Sequence, residues 1–375
     1  MTEKEKKDIQ SPGQALQYFL KKKDWTQEDL SYILSISLKH TNEIVKDKKP
    51  ISLEIAKLLA NIFDLEASDW MNLSTKYQLK NSPDFDKEKS VLMKAEIYKY
   101  MPVNELIKKG WISGSDDLNK EIKSFWRIPK GKELDLSFLD TDKKQLEYKR
   151  AEIFEDSFNE YNALIWHQMA LNFAESMKIK PYNRKGLLLL LGKMHTYTTV
   201  EDGVKKFLNE LSLVGVKFVF LSHLSKTYLD GAAFLSTDGP IVALTGRYDR
   251  IDNFWFTLAH ELSHVAFHLT NGESNTIFID DTTKKATATK ELEANNKAEE
   301  VLLQEEILQY FAENTNYITE DKVREFSRDQ KIHASIVVGI LAHNALVSYA
   351  TLQRFKEPVR EQIPAKYKAE PEFLL

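Results

Sequence analysis

The 375-residue chain contains no cysteine. This absence excludes disulfide bonds and thiolate metal sites, and it suits a reducing compartment. Long hydrophobic runs are missing as well, because the longest aliphatic run, Leu187 to Leu191, is far below the roughly 20 residues that a membrane-spanning helix needs. The charged N-terminus is not followed by an apolar signal segment. We therefore expect a soluble, cytoplasmic protein that makes no membrane contact.

An excess of positive charge is also absent. The formal net charge is −4, so the chain as a whole is unlike a general binder of polyanions, and any surface for nucleic acid must be local. Apolar residues make up 42% and charged residues 29% of the sequence, which is ordinary for a globular protein. The length is sufficient for two or three domains.

One stretch carries a direct chemical signal, His260-Glu261-Leu262-Ser263-His264. This spacing places two imidazoles on one face of a helix, one turn apart, with a glutamate beside them. It predicts a zinc site held by His260 and His264, with Glu261 as the general base. His268 repeats the spacing one turn later, and we assign it to packing or to hydrogen bonding behind the ligands. Apolar residues at helical spacing predict that the other side of this helix is core: Phe254, Leu258, Leu262, Val265 and Leu269.

A catalytic zinc site needs a third protein ligand and an open position for water. The best source is a second helical pattern over residues 291–303, whose small apolar residues Ala294 and Ala298 allow close approach to the first helix. Spacing alone leaves four carboxylates open as the third ligand: Glu291, Glu293, Glu299 and Glu300.

The C-terminal half resembles the ImmA/IrrE family of metallopeptidases. The resemblance rests on residues 246–264, Ile277 to Asp281, the Glu-Ala-Asn run at 293–295 and Ile332 to His343. It implies a zinc peptidase with a protein substrate and the third ligand at Glu293. Asn295 would then orient groups behind the ligands, and His333 or His343 would stabilise the oxyanion.

The N-terminal residues 11–79 show short helices with polar caps. Thr26 with Asp29 predicts a capping box, and Ser37 predicts a cap three residues beyond the previous helix. Two short helices joined by a tight turn are the outline of a helix-turn-helix. The stretch resembles HigA-type Cro/repressor-like domains, which implies a homodimer on a double-stranded DNA operator, although Asp47 stands where that family commonly has glycine. The predicted DNA-binding residues are Lys39, His40 and Asn42 at base edges and Lys46, Lys48 and Lys49 at phosphates.

The fold class that we predict is α+β and mostly helical. It comprises an all-α helix-turn-helix domain (1–80), a helical linker (81–185), a zincin-like peptidase domain with a small mixed sheet (186–350) and a charged tail (351–375). Apolar runs at 216–221, 231–235 and 240–244 predict the strands, the last two joined by a turn at 236–239. An extended substrate can pair with an edge strand of such a sheet, where Gly231 and Ala232 would permit close approach or would simply be small strand residues.

Two functions fit these patterns. The first is a zinc endopeptidase that cleaves a transcriptional repressor, or its own N-terminal half at the polar connector 80–90, to switch on stress, phage or mobile-element genes. The second is a DNA-binding antitoxin or autorepressor in which the metal site is a sensor or structural and proteolysis is absent. Replacing Glu261 by glutamine distinguishes them, because metal ligation survives this change and peptidase chemistry does not.

Overall fold

A computed structural model describes residues 9–81, 85–143, 159–269, 277–280, 289–312, 318–348, 350 and 353–369. The predicted connector at 80–90, the predicted helical linker (81–185) and the predicted charged tail (351–375) lie partly outside the described residues. The chain divides into two compact units, Met1–Leu92 and Met93–Leu375. The predicted fold class, α+β and mostly helical with a small mixed sheet, is confirmed.

The first unit is all-α in its described part, and polar caps set where its helices begin. Thr26 and Asp29 form the predicted capping box, and Ser37 accepts a hydrogen bond from the His40 amide, as expected. The apolar faces of the helices meet in one core around Phe19, Leu59 and Trp70. The helices are α1 (Pro12–Lys23), α2 (Gln27–Ile33), α3 (Leu38–Val45), α4 (Leu53–Ile62) and α5 (Ala67–Asn81), followed by α6 (Phe85–Tyr100), which continues into the second unit.

Asp47 follows α3, at the position where the HigA-type domains commonly have glycine. Its backbone is left-handed, with φ of 55°, a conformation that Asp adopts more readily than most residues. Its carboxylate accepts hydrogen bonds from the Ser11 hydroxyl at 2.5 Å and from the Gly13 amide at 2.7 Å. Asp47 therefore ties the turn after α3 to the N-terminus of α1, a contact that glycine could not make.

The second unit is built around a four-stranded sheet in the order β1-β3-β2-β4. β1 and β3 are parallel, whereas β2 pairs with β3 and with β4 in antiparallel register. Ser236 pairs with Gly239 across a two-residue turn, which confirms the predicted hairpin. The strands are β1 (Lys217–Phe220), β2 (Gly231–Ser236), β3 (Gly239–Leu244) and β4 (Ile277–Asp280).

Helices cover both faces of this sheet. Because strand side chains alternate in direction, Phe218, Ala233 and Val242 enter one core, and Val219, Phe234 and Ile241 enter the other. The described helices of the unit after α6 are α7 (Val103–Lys108), α8 (Leu118–Phe125), α9 (Glu160–Glu175), α10 (Arg184–Gly192), α11 (Met194–Tyr197), α12 (Gly203–Leu213), α13 (Ile251–Ser263), α14 (Thr289–Val301), α15 (Gln304–Ala312), α16 (Glu320–Gln330) and α17 (Ala334–His343). No described helix is long and apolar enough to cross a bilayer.

Two further segments contribute to the cores of the second unit. The region expected to be a separate linker supplies α7, α8 and α9 to the second unit, where Leu106, Ile122 and Trp166 share a core with sheet residues. The region expected to be a charged tail buries Val359 and Tyr367 against the other core. Both segments contain enough spaced apolar residues to pack on the sheet, although they also carry many charged residues.

Candidate metal centre

His260 lies on α13, one of the most buried helices of the unit, and His264 is the first residue of the π-helical turn that follows. Phe254, Trp255 and Leu258 anchor α13 in the core. His260 is 2% exposed, and Glu261 and His264 are completely buried. The helical spacing of the apolar residues thus packs one side of the helix in the core, as predicted, and the polar side chains of the motif are enclosed by protein.

Two imidazole nitrogens and one carboxylate oxygen converge beside this helix. His260 Nε2 and His264 Nε2 are 3.0 Å apart, and Glu291 Oε2 lies 3.4 Å from each of them. Zinc bound tetrahedrally at 2.0–2.2 Å keeps its ligand atoms about 3.3 Å apart. The triangle therefore has the size and donor chemistry of a three-ligand metal site, and zinc fits it.

Glu291, and not Glu293, completes this triangle. Glu293 was the ligand implied by resemblance, but its side chain is 61% exposed and its carboxylate contacts His268. Glu291, Ala294 and Ala298 are spaced at three and four residues, so they share one face of α14, and both alanines are buried. Glu293 is two positions from Glu291 and points elsewhere. The alanine spacing in the sequence is the signal that places Glu291 on the buried face of α14.

Comparison with known families agrees with this geometry. Residues 214–338, one third of the chain, match a family model of M78 peptidases whose description is the IrrE N-terminal-like domain. These residues form an IrrE N-terminal-like domain. They include the whole described sheet and the three residues of the triangle. No curated protein and no solved structure shows significant similarity to the chain.

Glu261 of the IrrE N-terminal-like domain lies against β2. A Cβ built on Gly231 would come within 2.6 Å of Glu261 Oε1 and 2.9 Å of Leu244 Cδ2, so glycine lets the glutamate lie in this position and a larger residue would force these side chains to shift. β2 is an interior strand, since Gly231 pairs with Asp280 and Ala232 with Ile279 of β4. The approach that Gly231 and Ala232 permit is therefore that of the glutamate side chain, and the strand edge that we expected there for a substrate is occupied by β4.

Behind the ligands, a π-helical turn (His264–His268) follows α13. His264 Nδ1 is 2.9 Å from His268 Nδ1, and His268 Nε2 is 3.0 Å from Glu293 Oε2. Burial lowers the pKa of His268, and its hydrogen bond to Glu293 opposes that shift. His268 thus contacts His264 through one ring nitrogen and Glu293 through the other.

The structure does not bring the remaining predicted residues to the triangle. His333 begins α17, where its ring accepts a hydrogen bond from the Ser335 amide. Burial lowers the pKa of His333, with Glu357 and Asp252 acting in the opposite direction. His343 is exposed at the end of the same helix. Within the described residues, Asn295 makes no hydrogen bond to the ligands.

Six residues of the first unit were predicted to bind DNA. Three of the lysines are exposed, whereas Lys49 pairs with Glu43 at 2.8 Å. The Lys49 ammonium lowers the pKa of Glu43. Asn42 donates a hydrogen bond to the Gln27 side chain at 2.9 Å. The exposed lysines are Lys39, Lys46 and Lys48, and His40 is half-buried.

Proposed function

We propose that the chain is a zinc-dependent endopeptidase coupled to a DNA-binding unit. Its substrate is a transcriptional repressor or its own N-terminal half, and cleavage switches on stress, phage or mobile-element genes. The observation that carries the proposal is the triangle of His260, His264 and Glu291 with Glu261 adjacent, inside an IrrE N-terminal-like domain. Three ligands and a neighbouring carboxylate are the parts that hydrolytic zinc sites use.

Each residue has a separate task in peptide hydrolysis. His260, His264 and Glu291 hold the metal, and zinc when bound supplies a Lewis acid that lowers the pKa of water and polarises a carbonyl. Glu261 takes a proton from the attacking water and passes it to the nitrogen of the leaving amine. Burial of Glu261 beside Gly231 fixes the carboxylate for both transfers.

The sheet offers a place for an extended substrate. β4 is the terminal strand of the described sheet and pairs with β2. A peptide adding to β4 would use backbone hydrogen bonds for affinity, which suits a substrate segment that is unfolded or exposed. An exposed, extended connector in a repressor has that character. In the connector of this chain, residues 80–81 end α5 and residues 85–90 begin α6, so this helical backbone would have to unwind before it could pair with β4.

The first unit supplies the DNA-binding part of the proposal. α3 begins at a capped N-terminus beside the exposed Lys39, and Lys46 and Lys48 follow its last turn. Lysines in this arrangement suit phosphate contacts, with Lys39, His40 and Asn42 nearest to base edges. A homodimer would place two copies of α3 on a palindromic operator and deliver the peptidase to a repressor bound nearby.

The decisive experiment compares protein termini in cells that express wild type, Glu261→Gln or the charge-matched control Glu299→Gln. Terminus-enriching mass spectrometry is run with and without DNA damage, and zinc content is measured for each purified protein. We expect a new terminus with wild type and with Glu299→Gln but not with Glu261→Gln, at equal zinc content. Identical termini in all three strains would refute proteolysis and favour an operator-binding protein whose metal site is a sensor.

A further inference from the structure

His264 is contacted on both sides of its ring. Its Nε2 faces His260 and Glu291 in the triangle, and its Nδ1 lies 2.9 Å from His268 Nδ1. A neutral imidazole carries one hydrogen, which is on either nitrogen. A metal needs the lone pair of Nε2, so the hydrogen must be on Nδ1 for His264 to serve as a ligand.

The contacts of His268 distinguish between these two forms. If His268 accepts a hydrogen bond at Nδ1, its own hydrogen is on Nε2 and points at Glu293 Oε2, 3.0 Å away. If His268 instead donates from Nδ1, its bare Nε2 faces a carboxylate oxygen, and two acceptors meet at hydrogen-bond distance. Glu293 therefore disfavours the second form, which would also put the hydrogen of His264 on the nitrogen that faces the triangle.

We propose that His268 and Glu293 are positioning residues that fix the tautomer of His264. The hydrogen-bond chain runs from His264 Nδ1–H to His268 Nδ1, and from His268 Nε2–H to Glu293 Oε2. The inference rests on the proposed metal site and assigns to Glu293 a role behind the ligands. Partners of this kind set the orientation and basicity of ligand histidines, and their loss commonly weakens metal binding by about 10–100-fold.

The local backbone supports this chain. The Leu269 amide donates to the His264 carbonyl at 2.9 Å, which closes the π turn. The next two carbonyls accept hydrogen bonds from other elements: the Tyr182 hydroxyl donates to Val265 at 3.2 Å, and Arg184 Nε donates to Ala266 at 2.5 Å. Side chains outside the turn thus hold it in place, and π turns are frequent at functional sites.

The first test reads the tautomer directly in the metal-free, full-length chain labelled with ¹⁵N-histidine. Long-range ¹H–¹⁵N correlations distinguish the two tautomers, and His268→Gln identifies the His268 signals. We expect the Nε2–H form of His268 in wild type and in the control Glu299→Gln, and a mixture of forms in Glu293→Ala. An Nδ1–H form in wild type, or no change in Glu293→Ala, would overturn the inference.

The second test measures zinc affinity by competition with a chelator. His268→Leu removes the acceptor and should weaken binding by about 10–100-fold. His268→Gln should retain most of the affinity, because its side-chain oxygen can accept from His264 Nδ1–H. Equal affinities of these two variants, both within twofold of wild type, would contradict the inference. If wild type itself binds no zinc, the proposed function fails, and the tautomer test on the metal-free chain still decides the inference.

Discussion

Replacing Gly231 by alanine should impair Glu261 as the general base while metal binding is retained. The added Cβ would lie 2.6 Å from Glu261 Oε1, 3.0 Å from Glu261 Cγ and 2.9 Å from Leu244 Cδ2. Ordinary contacts of a Cβ begin near 3.4 Å, so the carboxylate must move by about 0.8 Å, the difference between 3.4 and 2.6 Å. Glu261 is completely buried, and this movement therefore takes it away from its place beside the ligands.

A displacement near 1 Å in a catalytic group costs about 100-fold in rate. We expect Gly231→Ala to lower the yield of the cleavage product by about this factor. Overpacking of this kind costs about 1–3 kcal/mol of stability, which leaves the fold intact. Zinc content should equal that of wild type, because Gly231 lies against Glu261 and not against the three ligand atoms. The assay is time-resolved quantification of the new protein terminus, together with zinc content and circular dichroism.

Gly192→Ala is the matched control. A Cβ at Gly192 would meet nothing within 4 Å, so this variant should cleave as wild type does. The reasoning would be refuted if Gly231→Ala were folded, zinc-loaded and as active as the control. A loss of zinc from Gly231→Ala would also contradict it, since the damage would then have reached the ligands.

Three further predictions concern other parts of the molecule. Glu291→Ala should weaken zinc binding by more than about 100-fold and Glu293→Ala by about 10-fold or less, and chelator competition that gave the opposite order would restore Glu293 as ligand. Asp47→Gly should preserve the left-handed backbone, which alanine adopts less readily. We therefore expect Asp47→Ala to destabilise α1 by about 1 kcal/mol more than Asp47→Gly does. Hydrogen exchange of α1 amides in the full chain measures this difference. Burial lowers the pKa of His167 to about 4. Because the unfolded histidine binds a proton near pH 6.5 and the folded one does not, stability should fall between about pH 6.5 and 4 by up to about 3 kcal/mol. Urea titrations of His167→Gln should show a correspondingly flatter pH dependence, and an unchanged slope would exclude this cause.

Local sequence patterns predicted the metal helix and the hairpin because nearby residues determine both. The spacing of His260 and His264 needs only one helix, and the apolar residues around it identify the buried side. The Ser236 to Gly239 turn needs only a few residues that favour left-handed or tight backbone. Capping by Thr26 and Ser37 was predictable for the same reason.

Features that depend on contacts between distant segments were harder to predict. Glu291 and Glu293 are two positions apart, and which of them lies beside the histidines depends on how α14 packs against α13. The resemblance implied Glu293, whereas Glu291 lies within the triangle. His333 lies within the family-like stretch, yet its ring is at the start of α17, away from the ligands. β4 is short and its pairing with β2 depends on a distant segment, so its occupation of that strand edge had no local signal.

The C-terminal residues have a consequence for how this protein can be divided. The Ala369 amide donates to the Phe220 carbonyl at 2.9 Å, and Lys368 forms a parallel bridge with Phe220 at the margin of β1. A gene fragment encoding only 214–338 would lack this cover and the helices α9 and α12, which both contact β1. Such a fragment would expose unpaired backbone of β1 and hydrophobic side chains of the sheet. Both features promote aggregation. The segment that matches the family model is thus only part of the compact unit Met93–Leu375, and an expression fragment should include the whole unit.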